Sequence, residues 1–249
     1  MRREILDHGI TALVPERLRG DGFLVAFTER TGGASGGRFA SLNLGFGSGD
    51  DRTRVEENRH LLTNALAVDR FATVRQLHGA TIVPAGSGDA VGEGDGMVTD
   101  SADVALVVLA ADCLPLALAD PATGRLAVVH AGWRGMAAGI LDKAAGLFEE
   151  RRAVLAAIGP AICADHYEVG RDVADAVSSR VDGGAVLRGL GARPHLDLAA
   201  TAARRLRELG VTRIESAETC TACEEARFYS HRRDGGVTGR QALFAVRRS

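Results

Sequence analysis

The sequence contains little of what marks membrane, secreted or nucleic-acid-binding proteins. Its 249 residues include one lysine, Lys143, and only 4% aromatic residues, and the formal net charge is −2. No apolar run reaches the ~18 residues that a membrane-spanning helix needs, and the charged start of the chain leads into no apolar signal core. The balanced charge argues against a broad basic surface for nucleic acid. We therefore expect a cytoplasmic protein with neither a membrane nor nucleic acid as a partner.

Cysteine is also scarce. The four cysteines, Cys113, Cys163, Cys220 and Cys223, are too few to form the disulfide scaffold of a chain this long. In a reducing compartment they are better interpreted as free thiols, metal ligands or nucleophiles. The 46% hydrophobic and 25% charged residues are typical of a globular domain and exclude a disordered chain.

Internal repeats and long linkers are absent, which favours one compact domain over residues 1–249. Residues 28–51 are rich in glycine and predict a long loop, and loops of more than about 12 to 15 residues in compact domains are usually functional or disordered. Unbroken apolar runs predict buried strands, and helical spacing of apolar residues predicts helices. The predicted strands are 23–27, 104–111, 126–129, 154–158 and 241–247, and the predicted helices are 51–65, 135–150, 171–180 and 197–209. This succession predicts an α/β fold with mixed sheets.

The first candidate site consists of His78, Cys113 and His130, and the latter two follow predicted buried strands. One thiolate and two imidazoles are ligands that zinc accepts, and three protein ligands leave a fourth position for a reactant. Spacings of 35 and 17 residues are no local signature, so from spacing alone a buried thiol and two hydrogen-bonded histidines are the simpler interpretation. Alternatively, Cys113 and His130 could form the nucleophilic pair of a cysteine hydrolase or deamidase, with Asp112 or another acid orienting the imidazole ring.

The second candidate site combines Cys220-x-x-Cys223 with Cys163-x-x-His166. Three cysteines and one histidine could form a structural zinc site if the two segments meet. The alternative is that Cys220 and Cys223 only line or brace a loop.

A third group comprises residues that could bind an anion and sugar hydroxyls. Its members are Arg30, Arg134, Arg232, Arg233, Ser41 and Asn43. Each arginine lies near turn residues, where backbone N–H groups could assist a guanidinium in binding phosphate. A single arginine is usually a solvated surface residue, so the prediction depends on these residues coming together. The glycine-rich segment lacks the Gly-Lys-Ser/Thr ending of a P-loop.

Eight short motifs along the chain resemble those of the bacterial YfiH family, in the same order. They are TERTGG (28–33), SLNLG (41–45), QLHG (76–79), DGMVT (95–99), ADCLP (111–115), HAGWRG (130–135), GPAI (159–162) and SHRR (230–233). That family is also described as laccase-like multicopper polyphenol oxidase, peptidoglycan editing factor and purine nucleoside phosphorylase. A multicopper oxidase needs many paired histidine ligands, whereas the seven histidines here form no His-x-His pair.

The resemblance implies a single-domain, layered α-β-β-α sandwich related to the catalytic domain of cytotoxic necrotizing factor. It implies that His78, Cys113 and His130 bind a metal, usually zinc and sometimes copper. It also implies phosphorolysis of adenosine, inosine, guanosine and methylthioadenosine, with adenosine deamination at the same site. The partners would then be a small-molecule nucleoside and phosphate; the oligomeric state is not readable from the sequence.

Roles for the other residues follow from that implied chemistry. Phosphate must be held for attack on the sugar, which we expect of Arg134 together with Arg30 and Arg232. Ser41 and Asn43 are expected to contact the sugar. Proton transfer requires an acid such as Asp112 or Glu29. The peptidoglycan-editing description suggests a second function, hydrolysis of a muramyl amino-acid precursor through Cys113 and His130, and a binding-only role is the third.

Overall fold

The computed structural model describes residues 1–69, 71–86, 90–182, 184–188 and 193–248. Within these residues the chain forms six α-helices and fifteen β-strands. The helices are α1 (Glu16–Gly20), α2 (Arg52–Ala65), α3 (Trp133–Ala137), α4 (Ile140–Gly146), α5 (Arg171–Ser178) and α6 (Leu198–Glu208). The strands are β1 (Arg2–Ile5), β2 (Thr11–Val14), β3 (Phe23–Thr28), β4 (Phe71–Arg75), β5 (Ile82–Pro84), β6 (Ala90–Glu93), β7 (Gly96–Thr99), β8 (Ala105–Ala110), β9 (Leu114–Ala119), β10 (Leu126–Ala131), β11 (Leu155–Ile158), β12 (Leu187–Arg188), β13 (His195–Leu196), β14 (Arg213–Ser216) and β15 (Gln241–Arg247).

Most strands belong to two mixed sheets. The seven-stranded sheet has the order β1-β2-β3-β15-β8-β4-β6, and the six-stranded sheet has the order β14-β11-β9-β10-β7-β5. In the first sheet β4 runs parallel to both β6 and β8, and the other pairs are antiparallel. In the second sheet β11 and β14 are parallel, as are β5 and β7.

Three apolar clusters show that the two sheets are stacked between helices. Alternate residues of β8 illustrate the arrangement. Leu106 and Val108 pack between the sheets, whereas Ala105 and Val107 pack on the opposite face together with Leu62 of α2. The outer face of the six-stranded sheet packs against α3, α4, α5 and α6. Each fully buried valine or leucine contributes roughly 1.5–3 kcal/mol. The chain is therefore a single-domain α-β-β-α sandwich, as predicted.

Every predicted strand and helix is present with small shifts of its ends, except that one helix is divided. Helix α1 and ten of the fifteen strands in the described ranges were not predicted. Helix α2 begins after Asp51, whose carboxylate accepts the backbone N–H of Thr53 at 2.8 Å, as expected of an N-cap. The predicted helix 135–150 is instead two helices, because Gly139 has a φ of +83° that interrupts the helical conformation. None of the helices in the described ranges is both long and apolar enough to cross a bilayer.

Candidate metal centre and active site

The candidate site lies where the chain crosses from one sheet to the other. Strands β4, β6 and β8 are parallel neighbours, so their carboxyl ends meet at one edge of the seven-stranded sheet. His78, Asp95 and Cys113 follow these three strands, each on a crossing to β5, β7 or β9 of the six-stranded sheet. His130 comes from β10 in the six-stranded sheet. The sandwich thus brings residues from four separate segments to one place.

The imidazole and thiol donors of His78, Cys113 and His130 lie within 4.8 Å of one another. The two imidazole rings meet edge to face, with centroids 4.8 Å apart. For an ion with metal–ligand distances of about 2.0–2.3 Å, tetrahedral geometry separates its ligand atoms by roughly 3.6 Å. The cluster is thus compatible with one shared ion after a small contraction. His78 is exposed and His130 is buried, so the site opens to solvent on the His78 side.

Asp95 organises this cluster. Its carboxylate is paired with His130 Nδ1 at 3.0 Å, and it accepts the backbone N–H groups of His78 at 2.8 Å and Gly79 at 2.6 Å. Burial raises the pKa of Asp95, but these hydrogen bonds outweigh it and hold the pKa below its usual range. Because Nδ1 is engaged, the other ring nitrogen of His130 is available to a metal, the arrangement that commonly orients metal-binding histidines.

The electrostatics of the cluster favour a thiolate at Cys113. Burial raises the pKa of Cys113, but hydrogen bonds with His130 and His78 outweigh burial and lower it to about 6. For His130 the directions are reversed: burial alone would lower its pKa, but hydrogen bonds with Asp95 and Cys113 outweigh burial and raise the pKa above its ordinary value. A thiolate is the form required both of a metal ligand and of a nucleophile, so this charge pattern suits either chemistry.

The backbone around the cluster is tightly constrained. A Cβ atom on Gly132 would lie 2.9 Å from Cys113 Sγ, closer than carbon and sulfur normally approach, so glycine leaves room for the thiol. His78 and Asp112 have φ values of +61° and +87°, which non-glycine residues rarely adopt and which are often found at functional sites.

Asp112 connects the end of β8 to the segment between β14 and β15. Its buried carboxylate accepts Thr221 Oγ1–H at 2.6 Å and the backbone N–H of Arg232 at 2.7 Å. Its carbonyl oxygen accepts the backbone N–H of Ile162 at 3.0 Å. Glu29, the other candidate acid, is completely buried in ion pairs with Arg3 and Arg227. Asp112 is therefore the candidate acid that lies beside the cluster.

Two of the predicted arginines lie near the cluster, around Tyr167. The guanidinium of Arg232 stacks on the Tyr167 ring at 5.1 Å and donates to the carbonyl oxygen of Glu168 at 3.1 Å. Arg134 is exposed at the start of α3, with its guanidinium 4.6 Å from the Trp133 ring centroid. Burial raises the pKa of Tyr167, and the charges that act on its hydroxyl include Cys113 and both arginines.

Of the other two predicted arginines, Arg233 donates to the Asp234 carboxylate and to the carbonyl oxygen of Thr221. Arg30 and the polar pair Ser41 and Asn43 stabilise the glycine-rich loop. Arg30 donates to the carbonyl oxygens of Ala40 and Glu225 and stacks on Tyr229. Ser41 Oγ accepts the N–H of Gly33 and donates to the Arg30 carbonyl oxygen. Asn43 is completely buried, and its side-chain oxygen accepts the backbone N–H groups of Gly45 and Arg240. A direct contact of Asn43 with substrate would require this loop to open, so substrate contacts by Arg30, Ser41 and Asn43 stay a prediction.

Sequence reasoning gave no role to four side chains that the structure places around the site. They are Asp95, Tyr167, Thr221 and Arg240. Asp95 lies in a family motif, which is a signal that could have identified it. Burial lowers the pKa of Arg240, and the nearby charges of Cys113 and Asp112 offset this only in part. No sequence pattern indicates that Arg240 lies near Cys113 and Asp112.

A second group of metal-ligand atoms lies apart from the first. It consists of the thiols of Cys163, Cys220 and Cys223, all within 4.8 Å of one another. His166, which the sequence pairs with Cys163, is not among these converging ligand atoms. The predicted set of three cysteines and one histidine is therefore corrected to three cysteines.

The chain is similar over most of its length to bacterial proteins of one family. A family profile described as "Multi-copper polyphenol oxidoreductase laccase" matches residues 24–248. A Deinococcus radiodurans protein named purine nucleoside phosphorylase is 42% identical over 221 residues, which cover 86% of this chain and 85% of that protein. Purine nucleoside phosphorylase YfiH of Shigella flexneri is 34% identical over 93% of this chain and 97% of its own. The crystal structure of YlmD from Geobacillus stearothermophilus has a TM-score of 0.91 at 35% identity and covers 99% of this chain and 100% of that chain.

Proposed function

The chain belongs to the multi-copper polyphenol oxidoreductase laccase family, which includes YfiH and YlmD, and we propose that it is a purine nucleoside phosphorylase that uses a nucleoside and inorganic phosphate. The relatives named purine nucleoside phosphorylase support this activity. The observation that carries the proposal is the convergence of His78, Cys113 and His130 beside two arginines. We include adenosine, inosine, guanosine and methylthioadenosine as substrates, with adenosine deamination as a second reaction.

The donor set supports zinc as the resident metal, with copper as the alternative. One soft thiolate and two imidazoles suit both ions, and Asp95 orients His130 as a ligand. A bound divalent ion would supply Lewis acidity to a reacting group at the open coordination position. The described residues contain two candidate metal clusters, neither with more than two histidines. That composition does not support the trinuclear copper centre of a laccase.

The protein's own side chains would bind phosphate and move protons. Arg134 and Arg232 carry permanent positive charges that act on Tyr167, as does the charge of Cys113. These arginines can hold phosphate for attack on C1′, while the bond from C1′ to the purine breaks. We assign proton transfer to Asp112, because Thr221 and the Arg232 backbone hold its carboxylate in a fixed position. The Trp133 ring, stacked under Arg134, offers a surface on which a purine can stack.

The first experiment is incubation of the protein with inosine and phosphate, monitored by chromatography for hypoxanthine and ribose 1-phosphate. Both products should appear together and in equal amounts. Uptake of inosine without turnover would indicate a binding protein instead. Cys113→Ala should lower the zinc content by one ion per chain and abolish turnover, and a variant that keeps its full zinc content and activity would contradict the metal assignment.

A cysteine hydrolase that edits a muramyl amino-acid precursor is the second candidate. The hydrogen-bonded pair of Cys113 and His130 favours it, because such a pair can activate a thiol. A metal on the sulfur would suppress its nucleophilicity, so the two functions differ in thiol reactivity. Iodoacetamide should modify Cys113 only after a chelator has removed the metal. Equal modification without a chelator would favour the hydrolase.

A further inference from the structure

Three thiols converge at the surface where the segment after β11 meets the segment after β14. The Sγ atoms of Cys163 and Cys223 are 4.0 Å apart, and Cys220 lies within 4.8 Å of both. We propose that Cys163, Cys220 and Cys223 form a second metal site that binds Zn²⁺ and is separate from the candidate active site. None of its ligands is shared with His78, Cys113 and His130.

The sulfur separations are compatible with a shared zinc ion. With Zn–S bonds of about 2.3 Å, tetrahedral geometry places two sulfur atoms about 3.8 Å apart. The observed 4.0 Å between Cys163 and Cys223 is close to this value and about twice the ~2.05 Å of a disulfide. Three soft thiolates form a donor set that selects zinc over the hard cations magnesium and calcium.

The backbone around the thiols is arranged to stabilise negative charge on sulfur. The N–H of Cys163 donates to Cys220 Sγ at 3.2 Å, and the N–H of Cys223 is directed at the same sulfur. Hydrogen bonds of this kind orient and tune metal ligands. A divalent cation bound to the three sulfur atoms would offset the negative charge of the thiolates.

A zinc ion at this site would cross-link two segments that also form hydrogen bonds with Asp112. Cys220 forms a β-bridge with Ala161, and the N–H of Thr221 donates to the Ala161 carbonyl oxygen at 3.1 Å. Thr221 also donates to the Asp112 carboxylate. Cys223 is exposed, so water can complete the coordination of the ion. Because its ligands join these two segments, the ion would act structurally, fixing the loops behind the candidate active site.

Metal stoichiometry of the full-length protein tests this site. The protein is purified with a phosphine reductant, loaded with Zn²⁺, desalted and measured by plasma mass spectrometry. We expect two zinc ions per chain in the unmodified protein and one in Cys223→Ser. Ala226→Ser, at an exposed position in the same segment, is the matched control and should keep both ions.

Two further measurements make the result independent of any one variant. Cys113→Ala should retain one zinc ion, held by the three thiols. Replacement of zinc by Co²⁺ should give a strong thiolate-to-metal absorption in the near ultraviolet that falls by most of its intensity in Cys223→Ser. An ion content that is unchanged in Cys223→Ser, no ion in Cys113→Ala, or a disulfide within the group under reducing conditions would each overturn the proposal.

Discussion

Asp95→Asn tests most directly how the candidate metal centre is built. Asp95 is 1% exposed, and its two carboxylate oxygens face four nitrogen atoms: His130 Nδ1 and the backbone N–H groups of Leu77, His78 and Gly79. Asparagine has nearly the same shape but one accepting oxygen, so two of the four donors lose their acceptor. We expect the fold to survive and the two histidines to lose their fixed orientation.

The magnitude follows from these contacts. Removal of a partner that orients a metal-binding histidine typically costs 10- to 100-fold in metal affinity, which equals about 1.4–2.8 kcal/mol of binding free energy. At about 1–3 kcal/mol for each buried group left without a partner, the two lost hydrogen bonds predict a decrease of about 2–6 kcal/mol in the free energy of unfolding. Zinc affinity should therefore fall together with stability.

Competition with a chromophoric chelator measures the zinc affinity, and urea unfolding of the metal-free protein measures stability. Asp120→Asn is the matched control. Asp120 is also buried and accepts hydrogen bonds from Ala122 and Thr123, but it follows β9 at the end opposite Cys113. The control should lose stability and keep its zinc affinity. Unchanged zinc affinity in Asp95→Asn, or equal losses in both variants, would refute the reasoning.

Three further predictions test the room that Gly132 leaves for the Cys113 thiol, the phosphate site and a buried ion pair. Gly132→Ala should weaken zinc binding by about tenfold or more, because its Cβ would lie 2.9 Å from Cys113 Sγ; Gly47→Ala, where nothing lies within 4 Å, should bind zinc normally in the same competition assay. Arg134→Ala should reduce phosphorolysis of adenosine far more than its deamination in parallel product assays, and equal losses would contradict a phosphate-specific role. Burial raises the pKa of Glu29, but its hydrogen-bonded arginines outweigh burial and hold it below the ordinary value of 4.5. Its stabilising contribution is therefore fully present above that value and lost as the pH falls through the folded-state pKa. Urea unfolding at several pH values should show a smaller acid dependence in Glu29→Gln, and an unchanged dependence would exclude this source.

The composition of the candidate metal centre was predictable from motifs, whereas its convergence was not. Cys113 and His130 follow recognisable apolar runs, and these runs form strands β8 and β10. The spacing of His78, Cys113 and His130 carries no geometric information, because each crossing between sheets joins residues that are distant in sequence. Asp95 shows the same limit: its motif was visible, but its hydrogen bonds exist only once β6 and β7 lie in different sheets.

The second thiol group shows how local spacing can mislead. The sequence pairs Cys163 with His166 at the spacing of a zinc ligand pair, yet the thiols that meet belong to Cys163, Cys220 and Cys223. The β-bridge between Ala161 and Cys220 fixes which side chains face each other. Such a bridge between two loops has no signature in either segment alone.

The sequence by itself determined the α/β class, a helix that begins at Asp50 or Asp51, five of the strands and the family motifs, because each depends on residues that are neighbours along the chain. The tertiary structure alone decided which ends of the strands meet, which acid lies beside Cys113 and which cysteines form a group. Those outcomes depend on the stacking of two mixed sheets, whose crossings bring together residues that no local interaction connects.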